Sequence, residues 1–152
     1  MKALAPEWRP IDRHNVETWR EVKNMGMLPL VGSPTRFGVL NIEMIPPSIN
    51  LLYHESEKTP LYLAAIDKFL ILLDRCPQWH IAGDFRARLS FNRTRTKSDL
   101  DNLTKPVIDM LQVGLRVQGD HRLVELRAQW STIVRMTRVE LWSADLKIGE
   151  KL

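Results

Sequence analysis

Hydrophobic and polar positions change their period several times along the chain, and each change marks an element. From Val39 to Ile45 apolar residues alternate with Asn41 and Glu43, a strand signal that Pro46 and Pro47 end because proline cannot donate into a ladder. After the loop PPSINLLYHESEK, Thr59 and Pro60 read as an N-cap and a first helical position. The run from Leu61 to about Arg75 is rich in Leu, Ile, Ala and Phe and predicts a largely buried helix, closed by Pro77. IAGDFRARLSF carries the clearest strand signal, with Phe85, Ala87, Leu89 and Phe91 on one face and Asp84, Arg86, Arg88 and Ser90 on the other. Arg93 shares the parity of Phe91, so the strand must end or bulge before it.

Beyond the polar stretch NRTRTKSDLD, Leu103, Val107, Met110 and Leu111 recur at core spacing and predict a second helix from about Leu103 to Val113, with Gly114 as C-cap and Pro106 near the first turn. LVELRAQW and IVRMTRVELW, separated by Ser131 and Thr132, alternate as two adjacent antiparallel strands would. The elements run β-α-β-α-β-β, an α/β or α+β domain in which two helices cover one face of a small mixed sheet. Residues 1–37 form a Pro-interrupted N-terminal arm of unreadable role, with a short helix predicted from Asn15 through Trp19 and Val22 to Gly26, and residues 38–152 form the domain.

Composition narrows the class. A chain of 152 residues with 44% apolar and 26% charged side chains suits one folded domain, and excludes wholesale disorder and fibrous repeats. Lys and Arg total 22 against 18 Asp and Glu, and the net charge of +4 suits a polyanionic partner. Cys76 is the single cysteine, which removes intrachain disulfides and cysteine-rich zinc sites and makes a reducing cytoplasm the expected compartment. Glu7, Arg9, Asp12 and Arg13 stand where a signal peptide needs an apolar core, so secretion is not expected. The first helix is too short and too charged, at Asp67 and Lys68, for a membrane span.

Candidate chemistry concentrates in Asp99-Leu100-Asp101-Asn102-Leu103-Thr104-Lys105, with Asp120 further on. In an extended segment Asp99 and Asp101 face the same way about 6.6 Å apart and can converge on a hard cation. The helix carries the chain away by about 16 Å and the residues after Gly114 can return about 20 Å, so Asp120 can join them. Three carboxylates in one cleft repel unless a divalent metal sits among them, which points to Mg²⁺. Lys105, one helical turn past Asp101, can meet charge developing on a phosphate. Arg86, Arg88, Arg93, Arg95 and Lys97 precede the motif and suit a phosphodiester backbone. The purely structural alternative is a capping box of Ser98 with Asp101, an ordinary i,i+4 pair of Lys105 with Asp109, and a solvated basic strand face. His121, beside Asp120, is the one histidine placed for a site role; Trp79, Trp130 and Trp142 fall where packing is expected, and Cys76 reads as a small buried apolar residue.

SDLDNLTKPVIDML, then Gly114 and the Asp120 segment, together with the loop Pro46-Pro47-Ser48-Ile49-Asn50 after a first strand, resemble the RusA-type Holliday junction resolvases, endodeoxyribonucleases often carried by prophages. The likeness covers about residues 38 to 142. It implies metal-binding carboxylates at Asp99, Asp101 and Asp120, a catalytic lysine at Lys105, a nearby loop bearing Asn50 and Tyr53, Mg²⁺ as cofactor, and four-way junction DNA cut by paired nicks that leave 5′-phosphate and 3′-hydroxyl ends. Two matched nicks call for two sites related by the symmetry of the junction, hence a homodimer. Ser98 and Gly119 depart from the family pattern, which has a basic residue or proline before the first aspartate and an acidic residue before the last; Arg122 stands where glutamine is common. These departures motivate an alternative in which a protein of this fold binds branched DNA with weak or no cleavage. A metal-dependent nucleotide-sugar transferase built on the Asp-x-Asp pair lacks a Gly-rich nucleotide loop here.

Overall fold

The alternation in FRARLSF becomes the central strand of the protein. In the computed structural model, which describes residues 30–55 and 57–151, the elements are β1 (Ser33–Pro34), β2 (Phe37–Ile42), α1 (Ile49–Leu52), β3 (Tyr53–His54), β4 (Glu57–Lys58), α2 (Pro60–Asp74), β5 (Trp79–His80), β6 (Phe85–Phe91), α3 (Asp101–Val113), β7 (Leu123–Trp130) and β8 (Thr137–Ser143). The larger ones run β2, α2, β6, α3, β7, β8, the predicted order, and make a mixed α+β domain. The principal sheet is ordered β2-β8-β6-β7, with β6 and β7 parallel and the other neighbours antiparallel. Phe85, Ala87, Leu89 and Phe91 are fully buried, and Leu40, Val139 and Leu141 extend the same core under Ile66, Phe69 and Leu73 of α2 and Leu103, Val107 and Leu111 of α3.

The two last strands are not adjacent, contrary to the hairpin expected from their spacing. The α3 crossover returns the chain to the starting end of β6, so β7 runs parallel to it on one side. The chain then passes around the end of β6 and descends as β8 on the other side. Residues 133–136, expected in the last strand, form that passage. Asn92 anchors it, its N–H donating to the Met136 carbonyl at 2.9 Å and its side-chain amide to the Val134 carbonyl at 2.9 Å. The same residue stops β6 where the parity of Arg93 required a stop: its carboxamide oxygen accepts from the Thr94 N–H at 2.9 Å and opens a 3-10 turn over Arg93–Arg95.

Both helices differ from expectation in ways that packing explains. Thr59 precedes α2 as its N-cap and Pro60 opens it, but the Thr59 hydroxyl donates to the Leu51 carbonyl at 2.8 Å instead of capping. One side of α2 is buried, while Leu61, Leu63 and Ile71 stay exposed, so the helix is less enclosed than its composition suggests. α3 begins two residues earlier than predicted, which moves Pro106 into the second turn, where it is buried. At its far end the Arg116 N–H bonds the Leu111 carbonyl and the Leu115 N–H bonds the Gln112 carbonyl, a Schellman arrangement whose left-handed residue is Leu115 at φ 64°. Glycine occupies position 114 for a different reason: a Cβ there would collide with the Leu73 side chain of α2.

The packed unit starts before the predicted boundary at residue 38. Val31 is buried and donates to the Leu115 carbonyl at 3.0 Å, His80 Nδ1 donates to the Val31 carbonyl at 2.8 Å, and β1 pairs parallel with β5. The helix predicted between Asn15 and Gly26 lies outside the described residues. Among those described, no helix is long and apolar enough to cross a membrane.

Arg116, to which the sequence pattern assigned no role, is fully buried and donates to the carbonyls of Pro77 (2.7 Å), Trp79 (3.0 Å) and Leu73 (3.0 Å), with its guanidinium 5.6 Å from the Trp79 ring. It ties the end of α2 to the segment leading into β6. Arg116→Met keeps most of the volume but strips three carbonyls of a charged donor, and is expected to cost about 2–4 kcal/mol. A urea midpoint unchanged from wild type would show that water takes over these bonds.

Candidate active site

The Asp99-Leu100-Asp101 segment is a helical turn, not an extended strand. Leu100 has φ −57° and ψ −45°, the Asp99 carbonyl accepts from the Asn102 N–H at 3.1 Å, and the Leu100 carbonyl accepts from the Leu103 N–H at 3.1 Å. In such a turn residues i and i+2 point about 200° apart, so the same-side arrangement expected for the two aspartates does not hold. Asp99 instead lines a cleft of about 190 Å³ with Arg93, Lys97, Ser98 and Trp130. Asp101 is the first residue of α3, where its charge suits the helix dipole. The Ser98–Asp101 capping box is not formed; the Ser98 N–H donates to Thr96 Oγ1 at 3.1 Å.

Along α3 the spacing i, i+4, i+8 aligns Asp101, Lys105 and Asp109 in one stripe. Lys105 Nζ lies 3.3 Å from Asp109 Oδ1, the lysine 54% exposed and the aspartate 17%. The i,i+4 pair is therefore real, and it is only part of what surrounds Lys105. Gln112, one turn beyond Asp109, accepts from the backbone N–H of Asp120 at 2.8 Å and so fastens the turn Asp120–Arg122 to the helix. Asp120, far along the chain, thereby comes close enough for both Lys105 and Asp109 to sense its charge.

The electrostatics follow from this crowding. Burial raises the Asp109 carboxyl above the ordinary aspartate range and Asp120 adds to the rise, with Lys105 opposing both. Burial works against the Lys105 ammonium, but Asp109, Tyr53 and Asp120 outweigh it and the lysine titrates above its ordinary value. From the other side, α1 packs against α3 and the β3–β4 hairpin sets Tyr53 opposite Lys58. Burial, reinforced by Asp109, raises the Tyr53 phenol. Its ring meets Tyr62 edge-on at 5.6 Å, and Lys58 Nζ sits 4.6 Å over the Tyr62 ring. Asn50 is exposed on α1, whose first turn Ser48 caps.

The basic residues divide into two groups. Arg86 donates to Glu125 at 2.7 Å and Arg88 makes two bonds to Glu140 at 2.8 and 2.9 Å beside the Trp142 ring, so both are paired on the face of the sheet opposite the helices. Arg93, Arg95 and Lys97 are exposed beyond β6. Arg93 stacks 5.0 Å over Trp130, which also packs edge-on against Phe91 at 6.5 Å. Trp79 and Trp142 serve packing as expected: Trp79 lies against Gly38 and Arg116, and Trp142 is buried. His121 is exposed in the Asp120 turn, and Cys76 is half-buried with its thiol pushed up by burial.

Of the residues singled out in the sequence, Lys105 stands on α3 and Asp120 is fastened to the same helix through Gln112, Asp101 heads the Lys105 stripe, and Asp99 joins Arg93 and Lys97 in the neighbouring cleft. Among the described residues no three His, Cys, Asp or Glu side chains stand together as a metal-ligand set. Asp109, Gln112, Tyr62 and Lys58 were not foreseen in the site. The i+4 and i+8 spacing from Lys105 and Asp101 was a signal for Asp109; nothing local marked the other three. No protein-family model matches the chain, and no curated protein matches it.

Proposed function

We propose that this protein is a Mg²⁺-dependent, RusA-like endonuclease that nicks branched DNA, with the four-way junction as substrate and a homodimer as the working unit. One observation carries the reading most: Asp120, nineteen residues beyond Asp101 in the resembled motif, is fastened by Gln112 to the α3 face that bears Lys105. Asp99, Asp101 and Asp120 offer the hard carboxylate oxygens that Mg²⁺ takes and all three are exposed, but the αR turn at Leu100 parts Asp99 from Asp101 and the three do not stand together as one ligand set, so holding the ion requires Asp99 to turn toward Asp101. These residues would hold the ion, which when bound supplies an activated water and polarises the scissile phosphate. Lys105 stabilises charge building on the phosphate oxygens, and Asp109 holds its ammonium in place at 3.3 Å. Arg93, Arg95 and Lys97 grip the DNA backbone beside the motif.

Incubation with labelled four-way junction, flap and linear duplex, with and without Mg²⁺, tests the proposal. Paired nicks in the junction that require Mg²⁺ are expected; intact junction after prolonged incubation would overturn it. The alternative, a branched-DNA binder with little cleavage, draws on one specific feature: the αR turn at Leu100 directs Asp99 away from Asp101. It predicts junction-selective binding without turnover in the same assay.

Binding should be largely electrostatic. With Arg86 and Arg88 engaged by carboxylates, the phosphate contacts fall to Arg93, Arg95 and Lys97. Raising salt from about 50 to about 200 mM should then weaken junction affinity on the order of tenfold or more. An affinity independent of salt would rule these three out as a backbone track.

A further inference from the structure

We infer that the outer edge of β7 is the homodimer interface, where a second copy of this chain adds its own β7 antiparallel about a two-fold axis at Leu126. Strand β7 is the last in the β2-β8-β6-β7 sheet, so one side of its backbone lacks a strand partner among the described residues. It is eight residues long, LVELRAQW, without proline or lysine; its register against β6 shifts once, at Val124, and runs regularly from Glu125 to Trp130. It also exposes apolar side chains: Val124 is 50% accessible and Leu126 39%. Leu126 stands beside Ala87, which is fully buried under the helices, so the cover stops one strand short of β7. An edge whose backbone is unpaired by any strand and runs regularly from Glu125 to Trp130, with Leu126 exposed on it, is a template for another strand whose charges complement its own.

The charges on β7 identify the occupant and its register. A two-fold axis normal to the sheet keeps every side chain on its own face, so the pairing must centre on a residue rather than between two. Centred on Leu126, it sets Glu125 of each copy opposite Arg127 of the other, twice. Centred on Glu125 it would set Glu against Glu, and centred on Arg127, Arg against Arg; like charges directly opposite are destabilising. Within one chain Glu125 and Arg127 already lie 3.3 Å apart, on the face that carries Arg86. The self-complementary register joins two four-stranded sheets into one of eight strands, with the helices of both copies on one side.

This register also has a consequence for the site. The end of β7 that follows the Asp120–Arg122 turn comes beside the Gln129–Trp130 end of the second copy, the bulge at Val124 lying between them and the paired residues. The Arg93–Trp130 cleft of one copy thus lies toward the Asp120 turn of the other.

The inference rests on the two-fold assembly proposed above, but its test is read without DNA, so cleavage and dimerisation succeed or fail separately. Analytical ultracentrifugation of the full chain at micromolar concentration should give a dimer. Glu125→Arg alone and Arg127→Glu alone should each sediment as monomers, because each sets like charges opposite one another twice. Mixed in equal amounts, the two variants should restore a dimer. One chain then carries arginine at both positions and the other glutamate at both, so opposite charges face each other twice; no effect confined to one chain produces that rescue. Leu126→Arg leaves the Arg86–Glu125 pair untouched, sets two arginines together at the axis, and should also be monomeric. A monomeric wild type, variants that dimerise as the wild type does, or a mixture that remains monomeric would overturn the proposal.

Discussion

Asp101→Asn is expected to abolish junction cleavage while leaving junction binding equal to or tighter than wild type. The substitution removes a hard oxygen ligand and, with it, one negative charge facing a polyanion. Its structural cost is small by comparison. Asp101 is exposed in the first turn of α3, where a carboxylate is worth about 0.3–1 kcal/mol through the helix dipole. Asparagine keeps the shape, and the backbone bond from the Thr104 hydroxyl to the Asp101 carbonyl, at 2.9 Å, does not depend on the side chain. Loss of activity with an unchanged melting temperature and retained gel shift would therefore locate the defect in the chemistry. A variant that nicks at the normal rate in Mg²⁺ would remove Asp101 from the site.

Lys105→Ala is the second large effect. If the ammonium meets charge that develops only in the transition state, its removal should slow the chemical step about 10²–10³-fold. The competing account, that Lys105 merely pairs with Asp109, predicts a stability change under about 1 kcal/mol and no kinetic change, because a pair with a half-exposed lysine is weak. Single-turnover cleavage at saturating enzyme separates the two, since binding defects then no longer contribute. A rate within about twofold of wild type would reduce Lys105 to the partner of Asp109.

Much of the architecture was legible in local pattern. The period-two run of β6, the proline that opens α2 and the core spacing of α3 each express contacts made within a few residues, and they place those elements correctly or within two residues. The Arg93 parity argument succeeded for the same reason: a charged side chain cannot follow Phe91 into the core. Strand neighbours were not legible. Ser131 and Thr132 look like a hairpin turn, but the choice between a hairpin and a passage around β6 depends on Asn92, some forty residues upstream, and on the parallel path imposed by α3.

The candidate site divides in the same way. From sequence alone came the acidic motif, Lys105 at one turn's distance from Asp101, and the suspicion that Asp120 returns to them, because spacing along a helix and the reach of a short segment are properties of the chain itself. Tertiary structure alone decided that Gln112 fastens the Asp120 turn, that Asp99 turns toward Arg93 and Trp130, and that Glu125 and Glu140 engage Arg86 and Arg88. It also buried Arg116 among three carbonyls, which no periodicity marks. The reason is physical: helix and strand periods report which side of an element faces the core, whereas the partner of a charge is chosen by whichever distant segment the topology lays beside it.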